Sequence, residues 1–379
     1  MKERHRMTTL GLFRKISALT ALAVGLCAAS HAQLLVGQTV GVTGSAAATV
    51  KESMGGAALY IDHINAKGGV GGQKIEVLTL DDKFDPKLTL ANARTLIVDK
   101  GVLALFMTRG TPHTQGIIGL LDESGVPLIG PSTGAMVLHQ PVQKNVFNVR
   151  APYQREVKKA IGHLATLGVQ RIGVIHVDDT FGADALAGAL AGFQENQQKA
   201  LFVEKFDRAK PDFSAMAPQV AKQSPQAVIF IGTGSAVVDG IKALRAAGVS
   251  GQIITLSNNA SGGFVKALGE HSRGVVVTQV FPSERAVTYP LVREATALAR
   301  EAKIDLTPAM LEGFTNAKVL VEALRRAGPN PTRARLQEAL ESFRKFDLGG
   351  LSLSYSVDDH SGLDFSDLSI IGPDGHFRR

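Results

Sequence analysis

Only one cysteine occurs in the 379 residues, at position 27, and there is no tryptophan. One thiol closes no intrachain disulfide, and CxxC redox chemistry and cysteine-rich zinc sites go with it. HExxH is missing too, which removes the commonest zinc-protease pattern. The histidines after the leader, among them His63, His113, His139, His163, His176 and His271, show no metal-ligand spacing. No low-complexity tract or solenoid-length repeat is present. What remains is a chain that is 45% hydrophobic and 20% charged, the composition of a globular protein.

The first 32 residues read as a secretory signal. Lys2, Arg4, Arg6, Arg14 and Lys15 stand against one acid, Glu3, and precede the apolar stretch Ile16 to Ala29 and the small-residue site Ser30-His31-Ala32. That apolar core is shorter than the roughly 20 residues that span a bilayer. Cleavage is expected after Ala32, leaving Gln33 first. Leu26 fits poorly before a lipid-modified cysteine, so Cys27 is expected to leave with the signal. Removing these residues changes the formal charge from +7 to 36 − 33, or +3. The basic balance therefore belongs largely to the leader, and no Lys/Arg stripe with aromatics argues for nucleic acid. No later run is long and apolar enough to cross a membrane, so no stable membrane insertion is expected.

About 347 remaining residues (379 − 32) exceed what one core usually fills. Short β-rich runs at 34–40, 74–80, 102–106, 127–129 and 146–149 alternate with helical stretches at 53–65, 88–99 and 115–123. A second series of strands follows at 171–177, 201–206, 227–231, 253–256 and 275–280. Such alternation implies parallel sheets covered by helices on both faces, and two series imply two sheets. Boundaries are expected at Val149-Arg150-Ala151-Pro152, where proline forces extended backbone before it, and at Phe281-Pro282. Long helices at 289–302 and 308–327 come next, and the segment from Phe346 alternates as strands with a hairpin.

The glycines of INAKGGVGGQKIEVLTLDD, Ile64 to Asp82, follow a helix and precede a strand. A phosphate loop needs the opposite order, so they are read as a helix stop and turn. The stretch IFIGTGSAVVDGIKAL, Ile229 to Leu244, has the right order, yet Val237 replaces the third glycine of the dinucleotide fingerprint and Asp239 comes too early for the ribose acid. Asp178-Asp179 is read as a turn or helix cap rather than a carboxylate pair. Loops rich in hydroxyls and glycine recur after successive strands: TRGTPHT at 108–114, GPSTGA at 130–135, DDTFGAD at 178–184, GTGSA at 232–236 and SNNASGG at 257–263. Ligands of open parallel sheets bind beyond the carboxyl ends of strands. These loops together describe a cleft for a small polar molecule.

The segments DHINAKGGVGGQKIEVLTLDDKFDPKLTLANARTLI, ESGVPLIGPSTGA, RIGVIHVDDTFGADAL, DFSAMAPQV and ALRAAGV resemble the Leu/Ile/Val-binding family of periplasmic substrate-binding proteins. The resemblance covers roughly residues 34 to 375. It implies an α/β type I periplasmic binding fold of two doubly wound parallel-sheet lobes joined by a three-strand hinge. Lobe 1 is expected from 33–150 and 282–347, and lobe 2 from 151–281 and 348–379.

The resemblance also assigns roles. Thr111, Ser132, Thr133 and Gly134 match the positions that grip a ligand carboxylate through hydroxyls and amides. Phe181 stands where an aromatic, commonly tyrosine, lines the far lobe, and Thr233 lies near another contact. Ser257 falls where amino-acid binders place the acid for the ligand's ammonium, and Thr49 replaces an aromatic of the first helix. Phe84 and Gly110 occupy the positions of the family's disulfide. A buried ammonium without a carboxylate partner is expensive. An amino acid would need Asp178, Asp179 or Asp239, whereas an aliphatic or aromatic acid would not. The resemblance thus implies a monomeric, non-enzymatic periplasmic receptor, without cofactor or metal. It would bind a small carboxylate ligand by hinge closure and deliver it to the permease subunits of an ABC transporter. A ligand sensor for a membrane receptor or kinase is the other reading that the same two lobes allow; an exported nucleotide-dependent enzyme is disfavoured by the incomplete fingerprint.

Overall fold

The computed structural model describes residues 33–379. The expected signal, its cleavage after Ala32 and Cys27 lie outside the described residues. In chain order the first elements are β1 (Leu34–Val40), α1 (Ala47–Ala66), β2 (Ile75–Asp81), α2 (Pro86–Arg94), β3 (Ala104–Phe106), α3 (Thr111–Gln115), α4 (Ile118–Ser124), β4 (Leu128–Ile129) and β5 (Val146–Phe147). They form a parallel five-stranded sheet of order β2-β1-β3-β4-β5. The strand order reverses between β1 and β3, and a crevice opens at such a switch point.

The chain then builds α5 (Tyr153–Thr166), β6 (Ile172–Val177), α6 (Thr180–Glu195), β7 (Val203–Phe206), α7 (Met216–Lys222), β8 (Ala227–Ile231), α8 (Ser235–Ala246), β9 (Gln252–Thr255), α9 (Gly262–Leu268) and β10 (Val276–Gln279). It returns to the first lobe with α10 (Pro290–Glu301), α11 (Pro308–Ala327), α12 (Arg333–Glu341) and the hairpin β11 (Phe346–Asp347) and β12 (Ser352–Leu353), and ends in β13 (Asp367–Ile371) and β14 (Phe377–Arg378). The second sheet has seven strands in the order β14-β13-β10-β9-β8-β6-β7. Its five central and far strands are parallel, and β13 and β14 add an antiparallel edge. Every residue of β6 and β8 is buried, as expected where helices cover both faces of a parallel sheet. Among the described residues no helix is long and apolar enough to cross a membrane.

The apolar cores show where the chain changes lobe. Val149 and Ala151 pack with the first lobe and Tyr153 with the second; Val277 packs with the second and Val280 with the first. The expected third crossing at residue 348 is displaced. Leu348, Leu351, Leu353, Tyr355 and Leu363 all pack in the first lobe, and Leu368 and Ile371 follow in the second. Tyr355 explains the shift: it is buried, its hydroxyl donates to the carbonyl of Asn148 at 2.5 Å, and its ring lies edge-on to Phe147. Residues 348–363 therefore belong to lobe 1.

Two local differences have simple causes. Helix α1 begins at Ala47, before the expected Ser53, because Ala46 to Ala48 favour helix but mark no apolar stripe. The helix expected at 115–123 is divided at Gly116 and Ile117. The glycine-rich stretch is a turn. Gly68 and Gly69 donate to the carbonyls of Asn65 and Ile64 at 3.2 and 2.9 Å, and a Cβ on Gly69, at φ +77°, would stand 2.0 Å from the carbonyl oxygen of Gln73. The Asn65 amide then holds Ile75 through bonds of 2.9 and 2.8 Å, which fixes the start of β2. Asp82 is buried and accepts from Phe84 N, Thr89 Oγ1 and Thr39 Oγ1, a staple for the loop rather than a metal ligand.

Helices α1 and α11 meet backbone to backbone at two glycines. A Cβ on Gly56 would lie 1.9 Å from the Met310 carbonyl oxygen, and one on Gly313 1.8 Å from that of Ser53.

Candidate ligand cleft

Loops after the carboxyl ends of β2, β3 and β4 face those after β6, β7, β8 and β9 across a narrow interlobe cavity. Lobe 1 contributes Phe84, Arg109, Gly110, Thr111 and Ser132 to its wall, and the second lobe contributes Tyr153, Phe181, Arg208, Thr233 and Asn258. The two lobes are in contact around it. Ser45 O accepts from Ser235 N at 3.2 Å and Ala260 O from Ala309 N at 3.0 Å. Glu52 accepts from the amides of Gly262 and Gly263 at 3.0 and 2.8 Å. The molecule is closed.

Four of the residues expected at the site line this cavity: Thr111, Ser132, Phe181 and Thr233. Thr111 opens α3 behind Gly110, whose φ of +92° suits glycine, and its hydroxyl lies 2.8 Å from that of Thr133. Thr133 therefore stands behind Thr111. Phe181 starts α6, where Asp179 caps the helix by accepting from the amides of Phe181 and Gly182. Its ring lies 4.7 Å from that of Tyr153.

Three of the expected residues stand outside this wall. Gly134 does not line the cavity; its carbonyl accepts from Tyr153 N at 2.7 Å, and a Cβ there would stand 2.7 Å from the Ala151 carbonyl oxygen. It is a close-approach glycine at the first crossing. Ser257 is also outside the wall: its amide donates to Glu156 and Thr278, and its hydroxyl lies 2.6 Å from an Arg150 nitrogen. Thr49 meets Ser261 of the other lobe at 3.0 Å, an interlobe contact rather than a ligand contact. The alternative acids fare no better. Asp178 pairs with Lys205 on the surface, Asp179 is held by Arg208, and Asp239 is exposed on α8.

The sequence reading missed the cations. Arg109 is 3% exposed; it donates to Ser132 Oγ at 2.9 Å and, across the cleft, to the Asn258 carbonyl at 2.5 Å. Burial pulls its guanidinium below the ordinary value, and Glu312 and Tyr153 offset only part of that. Arg208 pairs with Asp179 and lies 5.4 Å from the Phe84 ring, which stacks on His113 at 4.3 Å. Arg150, at the first crossing, pairs with Glu156 and lies 3.9 Å from Glu312. Burial opposes its charge, but Glu156, Tyr153 and Glu312 outweigh that and hold it above its ordinary value. TRGTPHT did contain Arg109, and its position between a strand end and a hydroxyl loop was the available signal.

Residues 130–134, GPSTG, also spell the GxSxG of a nucleophile elbow. The geometry refuses that role, because Ser132 Oγ accepts from the Arg109 guanidinium, whereas a nucleophilic serine donates its proton to a neighbouring base. Burial holds the imidazole of His113 down at about 4. Among the described residues no cluster of His, Cys, Asp and Glu could hold a metal ion. The cleft can grip and enclose a solute.

The family described as periplasmic binding protein matches residues 33–364. The amino acid binding protein of Pseudomonas aeruginosa is 24% identical over 286 residues, 73% of this chain and 76% of that protein. The Leu/Ile/Val-binding protein of Escherichia coli is 23% identical over 59% of this chain, and the match spans 61% of its length. Among solved structures, a substrate-binding periplasmic protein from Ralstonia solanacearum superimposes with a TM-score of 0.84 at 30% identity, covering 91% of this chain and 99% of that one.

Proposed function

The chain belongs to the periplasmic binding protein family, of the Leu/Ile/Val-binding type, and we propose that it is the periplasmic receptor of an ABC importer for a small carboxylate-bearing solute. The family is one of solute-binding receptors, not enzymes. A branched-chain or related amino acid, or an aliphatic or aromatic acid, would enter between the lobes. The observation that carries this reading is the closed interlobe cavity, with Arg109, Thr111 and Ser132 on one wall and Phe181 and Thr233 on the other. Hydroxyls and a guanidinium satisfy a carboxylate by charge-assisted hydrogen bonds, and the rings take the hydrocarbon part. Binding shifts the lobes toward the closed form because the contacts across the cleft exist only there. Permease subunits would then read the closed outline of a monomeric receptor.

The test is calorimetric titration of the protein, unfolded and refolded to strip any carried ligand, with a panel of amino acids and simple carboxylic acids. Small-angle scattering should show a more compact particle with each solute that binds. Binding without turnover, and capture of the cognate permease from membranes, are the expected outcomes. A panel in which no carboxylate binds or compacts the protein refutes the reading.

A further inference from the structure

We propose that the cleft selects an aromatic monocarboxylate lacking an amino group, with Arg109 receiving the carboxylate and the rings of Phe84, Tyr153 and Phe181 flanking the arene. The inference rests on the receptor reading above and names its solute class.

The charges around the cavity decide the polar end. Its wall includes two guanidinium groups, those of Arg109 and Arg208, and no carboxylate. Arg208 is already paired with Asp179. Arg109 is buried, bonds only to neutral oxygens in Ser132 and Asn258, and among the described residues has no acid within 4.0 Å. A planar guanidinium with donors to spare is the side chain best matched to a carboxylate. Each nearby acid has another task. Asp179 caps α6 and holds Arg208. Glu156 is enclosed by Arg150, Thr278 and the Ser257 amide. Glu312 faces Arg150 at 3.9 Å and lies outside the cavity wall, although one of its oxygens has no hydrogen-bond partner. An incoming ammonium would thus meet Arg109 and Arg208 without an opposite charge beside it, a built-in repulsion against amino acids.

The rings decide the body of the ligand. Phe84 is held by its stack on His113, and Tyr153 and Phe181 meet with centroids 4.7 Å apart. Three aromatic side chains in the cavity wall suit a flat hydrocarbon, since arenes gain from offset or edge contacts with rings beyond the area they bury.

The experiment titrates the stripped protein with benzoate, 4-hydroxybenzoate and cinnamate beside phenylalanine and leucine, in wild type and in Arg109→Met, Arg109→Lys and Glu312→Gln. In wild type an aromatic acid should bind at least about 100-fold tighter than phenylalanine. Arg109→Met should lose about 30-fold or more of that affinity, as truncating one member of a buried charge pair does. Arg109→Lys should recover part of it, and Glu312→Gln should still prefer the acids. If Arg109→Met does not fold, the wild-type ranking and Arg109→Lys carry the test. Leucine or phenylalanine binding tighter than every aromatic acid, with the preference abolished in Glu312→Gln, would overturn the inference while leaving a carboxylate receptor in place. Silence from all five solutes would overturn it as well, and binding of other carboxylates would then decide whether the receptor reading survives.

Discussion

Glu52→Ala isolates the energy with which the lobes hold each other. Glu52 leaves α1 in the first lobe, and its carboxylate accepts from Gly262 N at 3.0 Å, Gly263 N at 2.8 Å and Thr307 Oγ1 at 2.8 Å. The Thr307 bond lies within lobe 1 and survives opening, whereas both amides belong to the far lobe at the start of α9. A hydrogen bond to a charged group contributes about 1.5–3 kcal/mol, and partial exposure brings each of these toward about 1 kcal/mol. Losing two of them removes about 2 kcal/mol from the closed state alone. At 1.4 kcal/mol per tenfold, the closed-to-open ratio falls by roughly 30-fold. If the free protein is mainly open, the apparent Kd of any solute that closes it rises by about that factor. Calorimetry with a bound carboxylate gives the Kd, and scattering of the free and loaded protein gives the shape. The melting temperature should barely move, because no core contact is lost. An unchanged Kd with an unchanged scattering profile would mean that the Glu52 contacts are absent from the state the solute selects, and the closure argument would be wrong.

Gly234→Ala acts on the same equilibrium from the other side. Gly234 sits at φ +52°, and a Cβ there would stand 1.7 Å from the Ser45 carbonyl oxygen across the cleft, so the variant should fold yet scatter as an open particle with affinity reduced more than about 10-fold. Arg150→Met should lower the denaturation free energy by about 3–5 kcal/mol, because it leaves Glu156 buried without its partner; Glu156→Gln in the same chain should return part of the loss in urea melts. Acid should destabilise the fold through His113 and His139, whose imidazoles burial holds down at about 4. The unfolded chain takes up those protons below about 6.5, so this stabilisation is complete above that pH and is lost as pH falls toward 4, on the order of 3 kcal/mol per histidine. Melting curves between pH 8 and 4 should therefore be less steep in pH for His139→Leu than for wild type.

The backbone of this molecule was open to reading because periodicity encodes it. β8 is a continuous apolar run and β6 is one interrupted by His176, α10 and α11 lie within a residue of where their patterns end, and loops after strands meet where parallel topology brings them. The third crossing was not visible, since Tyr355 and Leu363 return to lobe 1 through contacts with Asn148 and Val149, more than 200 residues earlier in the chain. The site was legible in its hydroxyls and obscure in its charges. Thr111 and Ser132 declare themselves by type and loop. Arg109 and Arg150 look in sequence like any solvated arginine, and only the closed fold shows that water has been taken from both. Ser257 and Thr49 were misplaced for the related reason that alignment gives a position along the chain but not which neighbour has claimed the hydroxyl.

The glycine crossing of α1 and α11 has a consequence for closure. With backbone pressed on backbone at Gly56 and Gly313, the two helices cannot slide or tilt independently. Thr49, Glu52, Thr307 and Ala309, which meet the far lobe or hold those that do, ride on that fused pair. The first lobe therefore keeps one rigid face against which the second closes. The outline of the shut molecule is set by main-chain geometry, so its shape should be nearly the same whichever solute is inside.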